Sequence, residues 1–157
     1  MSVEISPVKA GEANLVWPFV ASIAREEMKF HDEILLHYRK LLTDEEIGRR
    51  SQDERHVLLA ARKDGEMEGI LIGTPPEGGV ATILWLLVSA KCRREGIGKN
   101  LFEAGCSCFR SMGCHKVKLT APTSDAVRFY EKQGMAVEGF HSNHWWHLNF
   151  WSMGKNL

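Results

Sequence analysis

The amino-acid sequence predicts an α/β fold, a single mixed central sheet of about seven strands flanked by about four helices. Three observations predict it. Apolar residues recur at helical spacing through the first third of the chain, and from His56 onward they shift to short strand-like runs. The run Val80–Val88 reads Val-Ala-Thr-Ile-Leu-Trp-Leu-Leu-Val and is nearly all apolar, as expected of a central strand covered on both faces. A glycine-containing basic turn follows it and opens a further helical pattern. A chain of 157 residues can close one full hydrophobic core, so residues 1–157 read as one domain.

Val3 to Val8 is a short strand stopped near Pro7. Residues 12–28 place Leu15, Val16, Phe19, Val20, Ile23 and Ala24 at helical spacing, with Pro18 expected in a first turn or at a kink. A second helix spans Asp32 to Leu42, and Thr43 and Glu46 fit a capping box that opens a short third. His56–Arg62 and Met67–Thr74 are strands joined by the hairpin signal Asp64-Gly65. After Val80–Val88, a helix runs from Gly98 to Met112, ended by Gly113. Lys116–Ala121 is a strand, Thr123 or Ser124 caps a short helix ending at Gly134, and strands near Met135–Phe140 and His147–Met153 close the domain.

Composition excludes several function classes. The 20 basic and 20 acidic residues cancel, which argues against a nucleic-acid or membrane-surface binder. No run approaches the roughly 18 apolar residues of a membrane span. The start Met1-Ser2-Val3-Glu4 lacks secretory-signal features, so the expected location is cytoplasmic. Cys106 and Cys108 project from different sides of one helix, so the cysteines are expected to be reduced and mostly buried, with no metal site.

The segment Arg93-Arg94-Glu95-Gly96-Ile97-Gly98-Lys99 carries the chemistry. A helix N-terminus presents unpaired N–H groups and a positive dipole end, which suits a phosphate. Glycines allow close backbone approach, and Lys91, Arg93, Arg94 and Lys99 concentrate positive charge. A dinucleotide fingerprint would need a third glycine where Leu101 stands. A P-loop would need Ser or Thr where Asn100 follows Gly98-Lys99.

Arg93-x-x-Gly96-x-Gly98 resembles the (Gln/Arg)-x-x-Gly-x-(Gly/Ala) signature of the GNAT acetyltransferase superfamily. Ala126-Val127-Arg128-Phe129-Tyr130-Glu131-Lys132-Gln133-Gly134-Met135 is similar to that family's Ala-x-x-Phe-Tyr-Glu-Lys-x-Gly-Phe segment. Order, spacing and context agree from about Val80 to Met135. The resemblance implies a GNAT-like, mostly antiparallel sheet and an enzyme that uses acetyl-CoA as cosubstrate without a metal. It implies that Arg93, Arg94, Gly96, Ile97, Gly98 and Lys99 take the CoA pyrophosphate. It also implies that the pantetheine arm pairs with the strand at Leu86 and Val88, and that Thr123 contacts that arm. The backbone N–H at Leu86 would polarise the thioester carbonyl, and Tyr130 would protonate the departing thiolate.

The chain departs from the family pattern at Thr123 for Asn, Ala90 for Pro and Met135 for Phe. Thr82 stands where some members carry a glutamate base, and threonine cannot serve as one. The candidate bases are therefore Glu26, Glu27, His31 and His144, with His141 and His147 nearby, or a water. In an extended segment His141 and His147 would share a face and His144 would point away. The crowded Trp145, Trp146, Phe150 and Trp151 are candidates for an acceptor pocket, for core packing or for a homodimer face. The expected reaction is acetyl transfer to an amine acceptor, a small molecule or peptide, by direct attack in a ternary complex. The alternative is a catalytically silent CoA-binding module for sensing or scaffolding.

Overall fold

In the computed structural model, which describes residues 2–157, the chain opens with β1 (Val3–Pro7) and three helices. These are α1 (Ala13–Glu26), α2 (Asp32–Leu41) and α3 (Asp44–Ser51). There follow β2 (Leu58–Lys63), β3 (Glu66–Gly73), β4 (Val80–Val88), α4 (Ile97–Ser111), β5 (Lys116–Ala121), α5 (Ser124–Lys132), β6 (Ala136–His141) and β7 (Phe150–Asn156). The strands form one seven-stranded sheet in the order β1-β2-β3-β4-β5-β7-β6. Only β4 and β5 are parallel. Five α-helices occur among the described residues, including the short α3 that Thr43 and Glu46 foreshadow.

Local chemistry accounts for the turns. Asp64 (φ 55°) and Gly65 (φ 82°) both take the left-handed conformation that a tight two-residue hairpin requires. Thr43 Oγ1 accepts the Glu46 N–H at 3.1 Å, but the Glu46 carboxylate turns to Arg49 and Arg50 at 2.7 Å. Only half of the expected capping box therefore forms. Pro18 lies inside α1 rather than in its first turn. The N–H it lacks would have gone to Asn14, whose residue is exposed near the helix start, so water can satisfy that carbonyl.

The sheet separates two cores. On one face α4 and α5 cover Ala61, Leu71, Ile83, Val117 and Leu119. On the other, α1, α2 and α3 cover Leu58, Ala60, Ile70, Ile72 and Trp85. β3 is buried from Glu68 to Gly73. β4 is covered less completely than its composition suggests, with Leu84 47% exposed and Leu86, Leu87 and Val88 half-buried.

The cause is a bulge. Ile72 pairs with Trp85 but Gly73 pairs with Ile83, so Leu84 is an extra residue on β4. A bulge bends a strand and increases its local twist. β4 pairs with β5 only through Val80, Ala81 and Thr82, opposite Lys116, Val117 and Lys118. Beyond Thr82 the two strands diverge, and the sheet carries a split between the end of β4 and the end of β5.

The last strand starts later than the spacing predicts. Asn143, Trp146 and His147 have positive φ (46°, 58° and 61°), and Trp145–His147 forms a 3-10 turn instead of extended chain. The His144 N–H donates to the Leu148 carbonyl at 2.8 Å, and Asn149 Oδ1 accepts the Asn143 N–H at 2.9 Å. The expectation that His141 and His147 share a strand face is therefore wrong. His141 instead stacks on His144, with ring centroids 4.9 Å apart.

Candidate active site

The site begins with the free edge of β4. Ser89 N–H donates to the Glu68 carbonyl at 2.9 Å, which makes Val88 and Gly69 a non-hydrogen-bonded pair of the antiparallel ladder. Two residues back, Leu86 opposite Leu71 has the same status. The N–H and C=O groups of Leu86 and Val88 therefore point away from β3, into the split. This edge can accept an extended ligand as an added strand.

After β4 a 3-10 turn, Ala90–Cys92, leads to Arg94 (φ 64°) and to Gly96 (φ 80°), the N-cap of α4. Buried Cys92 and Ile97 anchor the turn in the core below. The first backbone bond of the helix runs from Asn100 N–H to the Gly96 carbonyl at 2.9 Å. The N–H groups of Ile97, Gly98 and Lys99 thus have no helical acceptor and face outward. A Cβ on Gly96 would meet nothing within 4 Å. A Cβ on Gly98 would lie 3.2 Å from Phe129 Cζ.

The positive charge is less free than the sequence suggests. Arg93 Nη1 binds Glu27 Oε2 at 2.8 Å, tying the end of α1 to the turn. Lys91 Nζ lies 2.6 Å from Glu68 Oε1, and the Ser89 hydroxyl also donates to that carboxylate. Burial raises the Glu68 carboxyl, but the hydrogen bonds from Lys91 and Ser89 outweigh it and hold it below its ordinary value. Arg94 has no carboxylate partner among the described residues, and Lys99 only approaches Glu103 at 3.9 Å. The roles of Glu27 and Glu68 as counter-charges were not legible in the sequence, because each partner comes from a distant segment.

On α5, Thr123 accepts the Ala126 N–H at 3.1 Å and caps the helix. Tyr130 is 8% exposed and packs against Phe129 and Phe102, with centroids 5.1 and 6.1 Å away. Burial pushes its phenol far above the ordinary tyrosine value.

One cavity of about 1470 Å³ runs through the split and gathers these parts. Leu86 and Val88 line it from β4, and Thr123 and Tyr130 from α5. Arg93, Arg94, Gly96, Ile97, Gly98 and Lys99 line one end of it. The residues that the family resemblance assigns to the thioester and to CoA thus border the same space.

The other end is aromatic. Phe30, Tyr38, Trp85 and Trp146 line it. Tyr38 meets Trp85 edge-on at 5.0 Å and Phe30 in a stack at 6.3 Å. His37 meets Trp146 at 5.3 Å, so the β6–β7 loop reaches across to α2. Burial raises the Tyr38 phenol, partly offset by a hydrogen bond with Trp146.

Of the candidate bases, Glu27 borders the cavity but is held by Arg93. Glu26, His31 and His144 do not border it, whereas Thr82 and His37 do. His37 was missed in the sequence, where nothing sets it apart from an exposed helix position. No cluster of three or more metal-ligating side chains occurs among the described residues. No helix there is long and apolar enough to cross a membrane.

The sequence model of the acetyltransferase (GNAT) family matches residues 17–135. The chain belongs to the GNAT acetyltransferase family. No curated protein sequence matches it. Among solved structures, it resembles the PaiA N-acetyltransferase from Thermoplasma acidophilum in complex with coenzyme A, at TM-score 0.81 and 19% identity over 100% of both chains. A GNAT acetyltransferase from Streptococcus pneumoniae superposes at TM-score 0.79 and 20% identity over 99% of both chains. The ribosomal-protein-S18-alanine N-acetyltransferase from Escherichia coli does so at 0.74 and 17%, over 99% of this chain and 94% of that one. At these identities the structures show a shared GNAT fold, and family membership supports acetyl transfer and CoA binding in general.

Proposed function

We propose that this GNAT protein is an N-acetyltransferase that moves the acetyl group of acetyl-CoA to an amine by direct attack in a ternary complex. The observation that carries this reading is the cavity through the split sheet. It has unpaired amides at one end, an aromatic pocket at the other and a free strand edge between them.

The pyrophosphate lies on the N–H groups of Ile97, Gly98 and Lys99, with Arg94 and Lys99 as countercharges. The pantetheine arm extends β4 along Leu86 and Val88, and passes Thr123. The Leu86 N–H donates to the thioester oxygen and stabilises the negative charge that develops there. The acceptor nitrogen attacks the carbonyl carbon from the aromatic end. The tetrahedral intermediate collapses, the C–S bond breaks, and the Tyr130 hydroxyl gives its proton to the thiolate. The nitrogen's own proton leaves through water, because Glu27 is committed to Arg93, and water returns a proton to Tyr130. An apolar pocket disfavours the ammonium form, which eases that loss. The products are an acetamide and free CoA, formed by one domain spanning residues 1–157 in the cytoplasm.

An acceptor screen with acetyl-CoA, reading free thiol release, tests this directly. Acceptor-dependent thiol release is expected. Saturating CoA is expected to raise the melting temperature as well, since a ligand at a hundredfold excess over Kd stabilises the native state by about 2.7 kcal/mol. A melting shift with CoA but no thiol release for any acceptor would favour the silent CoA-binding module.

A further inference from the structure

Three carboxylates border the cavity: Glu27, Asp125 and Glu138. Each is already engaged. Glu27 binds Arg93 at 2.8 Å, Glu138 binds Lys116 at 2.6 Å, and Asp125 pairs with Arg128. Lys118 also borders the cavity and has no carboxylate partner among the described residues. The space beyond the thioester therefore offers no free negative charge to a second or third ammonium group, and it carries a spare positive one.

The same space exposes apolar surface. Leu41, Leu84 and Trp145 are 49%, 47% and 51% exposed, and all three border this cavity. Leu84 is held outward by the β4 bulge. Exposed apolar surface gathered in a concavity marks a binding site for an apolar partner. Trp146 is placed over the pocket by a left-handed backbone conformation (φ 58°), which a bulky residue rarely takes. Its contacts with His37 and Tyr38 hold it there.

From this we infer that the acceptor is a small primary monoamine carried on an apolar body of aromatic size, not a polyamine or an aminosugar. The inference rests on the acetyl-transfer reading for the reaction, but the shape and charge of the pocket stand apart from catalysis. Burying the ring covers Leu41, Leu84 and Trp145 and displaces water from them. Multiply charged amines would leave ammonium groups beside Lys118 with no counter-ion.

The test is calorimetric titration of amines into the CoA-saturated protein, with acetyl-CoA turnover measured in parallel. 2-Phenylethylamine is expected to bind about 10-fold or more tightly than propylamine or spermidine. Trp146→Ala is expected to shrink that preference for the aryl amine about 10-fold. Leu84→Asp, at an exposed position that does not disturb the core, is expected to shift preference toward spermidine. The inference is overturned if spermidine, an aminoglycoside or a peptide N-terminus binds best, or if phenylethylamine and propylamine bind alike. Aryl-amine binding with no acetylation would overturn the acetyl-transfer reading and leave the pocket assignment standing.

Discussion

Tyr130→Phe is expected to lower kcat about 10²-fold while CoA affinity changes little. The phenylalanine keeps the ring against Phe129 and Phe102 and removes only the hydroxyl. General-acid loss costs about 10²- to 10⁴-fold, and a CoA thiolate is a fairly good leaving group, so the low end applies. Because burial raises the phenol, Tyr130 stays protonated throughout the working range of the enzyme. A simple reading of a catalytic tyrosine would expect an alkaline limb in the rate profile; the burial of Tyr130 moves that limb out of reach. The rising acid limb belongs to deprotonation of the amine and should persist in the mutant. Wild-type turnover in Tyr130→Phe at every pH would remove the residue from the mechanism and leave water as the donor.

Gly98→Val is expected to reduce CoA affinity by about 10²-fold or more, a loss near 2.7 kcal/mol. Its side chain would press on Phe129, whose Cζ lies 3.2 Å from the first added carbon, and would distort the turn that carries the unpaired amides. Gly96→Val should lose affinity too, but through the backbone. Its Cβ meets no protein atom within 4 Å, yet φ 80° is a conformation that a β-branched residue resists. Straightening that residue would re-aim the amides of α4. Titration calorimetry on mutants shown by circular dichroism to be folded checks both. Unchanged affinity in either would show that its glycine serves the turn alone.

The residues proposed to hold acetyl-CoA were legible because they sit in two short segments whose spacing is local. Gly96 and Gly98 mark a strand-to-helix turn, and the role expected of Tyr130 comes from the family resemblance of the segment that holds it. The split that joins them was not legible. It depends on one extra residue, Leu84, and β4 reads as an uninterrupted apolar run whether or not a bulge lies within it. The ion pairs Arg93–Glu27 and Lys91–Glu68 escaped for a related reason. Salt-bridge partners distant in sequence leave no spacing to read. The late start of β7 escaped because nothing in the spacing from His147 to Asn149 marks the turn that Asn143 and Asn149 close.

Acetyl-CoA is proposed to lie in the split between β4 and β5. Amide hydrogen exchange with and without CoA measures it at the backbone groups concerned. Slowed exchange is expected at Leu86 and Val88, which gain a partner along the free edge of β4, and at Ile97, Gly98 and Lys99, which gain the pyrophosphate. The amides of β1 and β2, remote from the cavity, should serve as an unchanged reference. Protection confined to other segments, with those five amides exchanging as fast as in the free protein, would contradict the account.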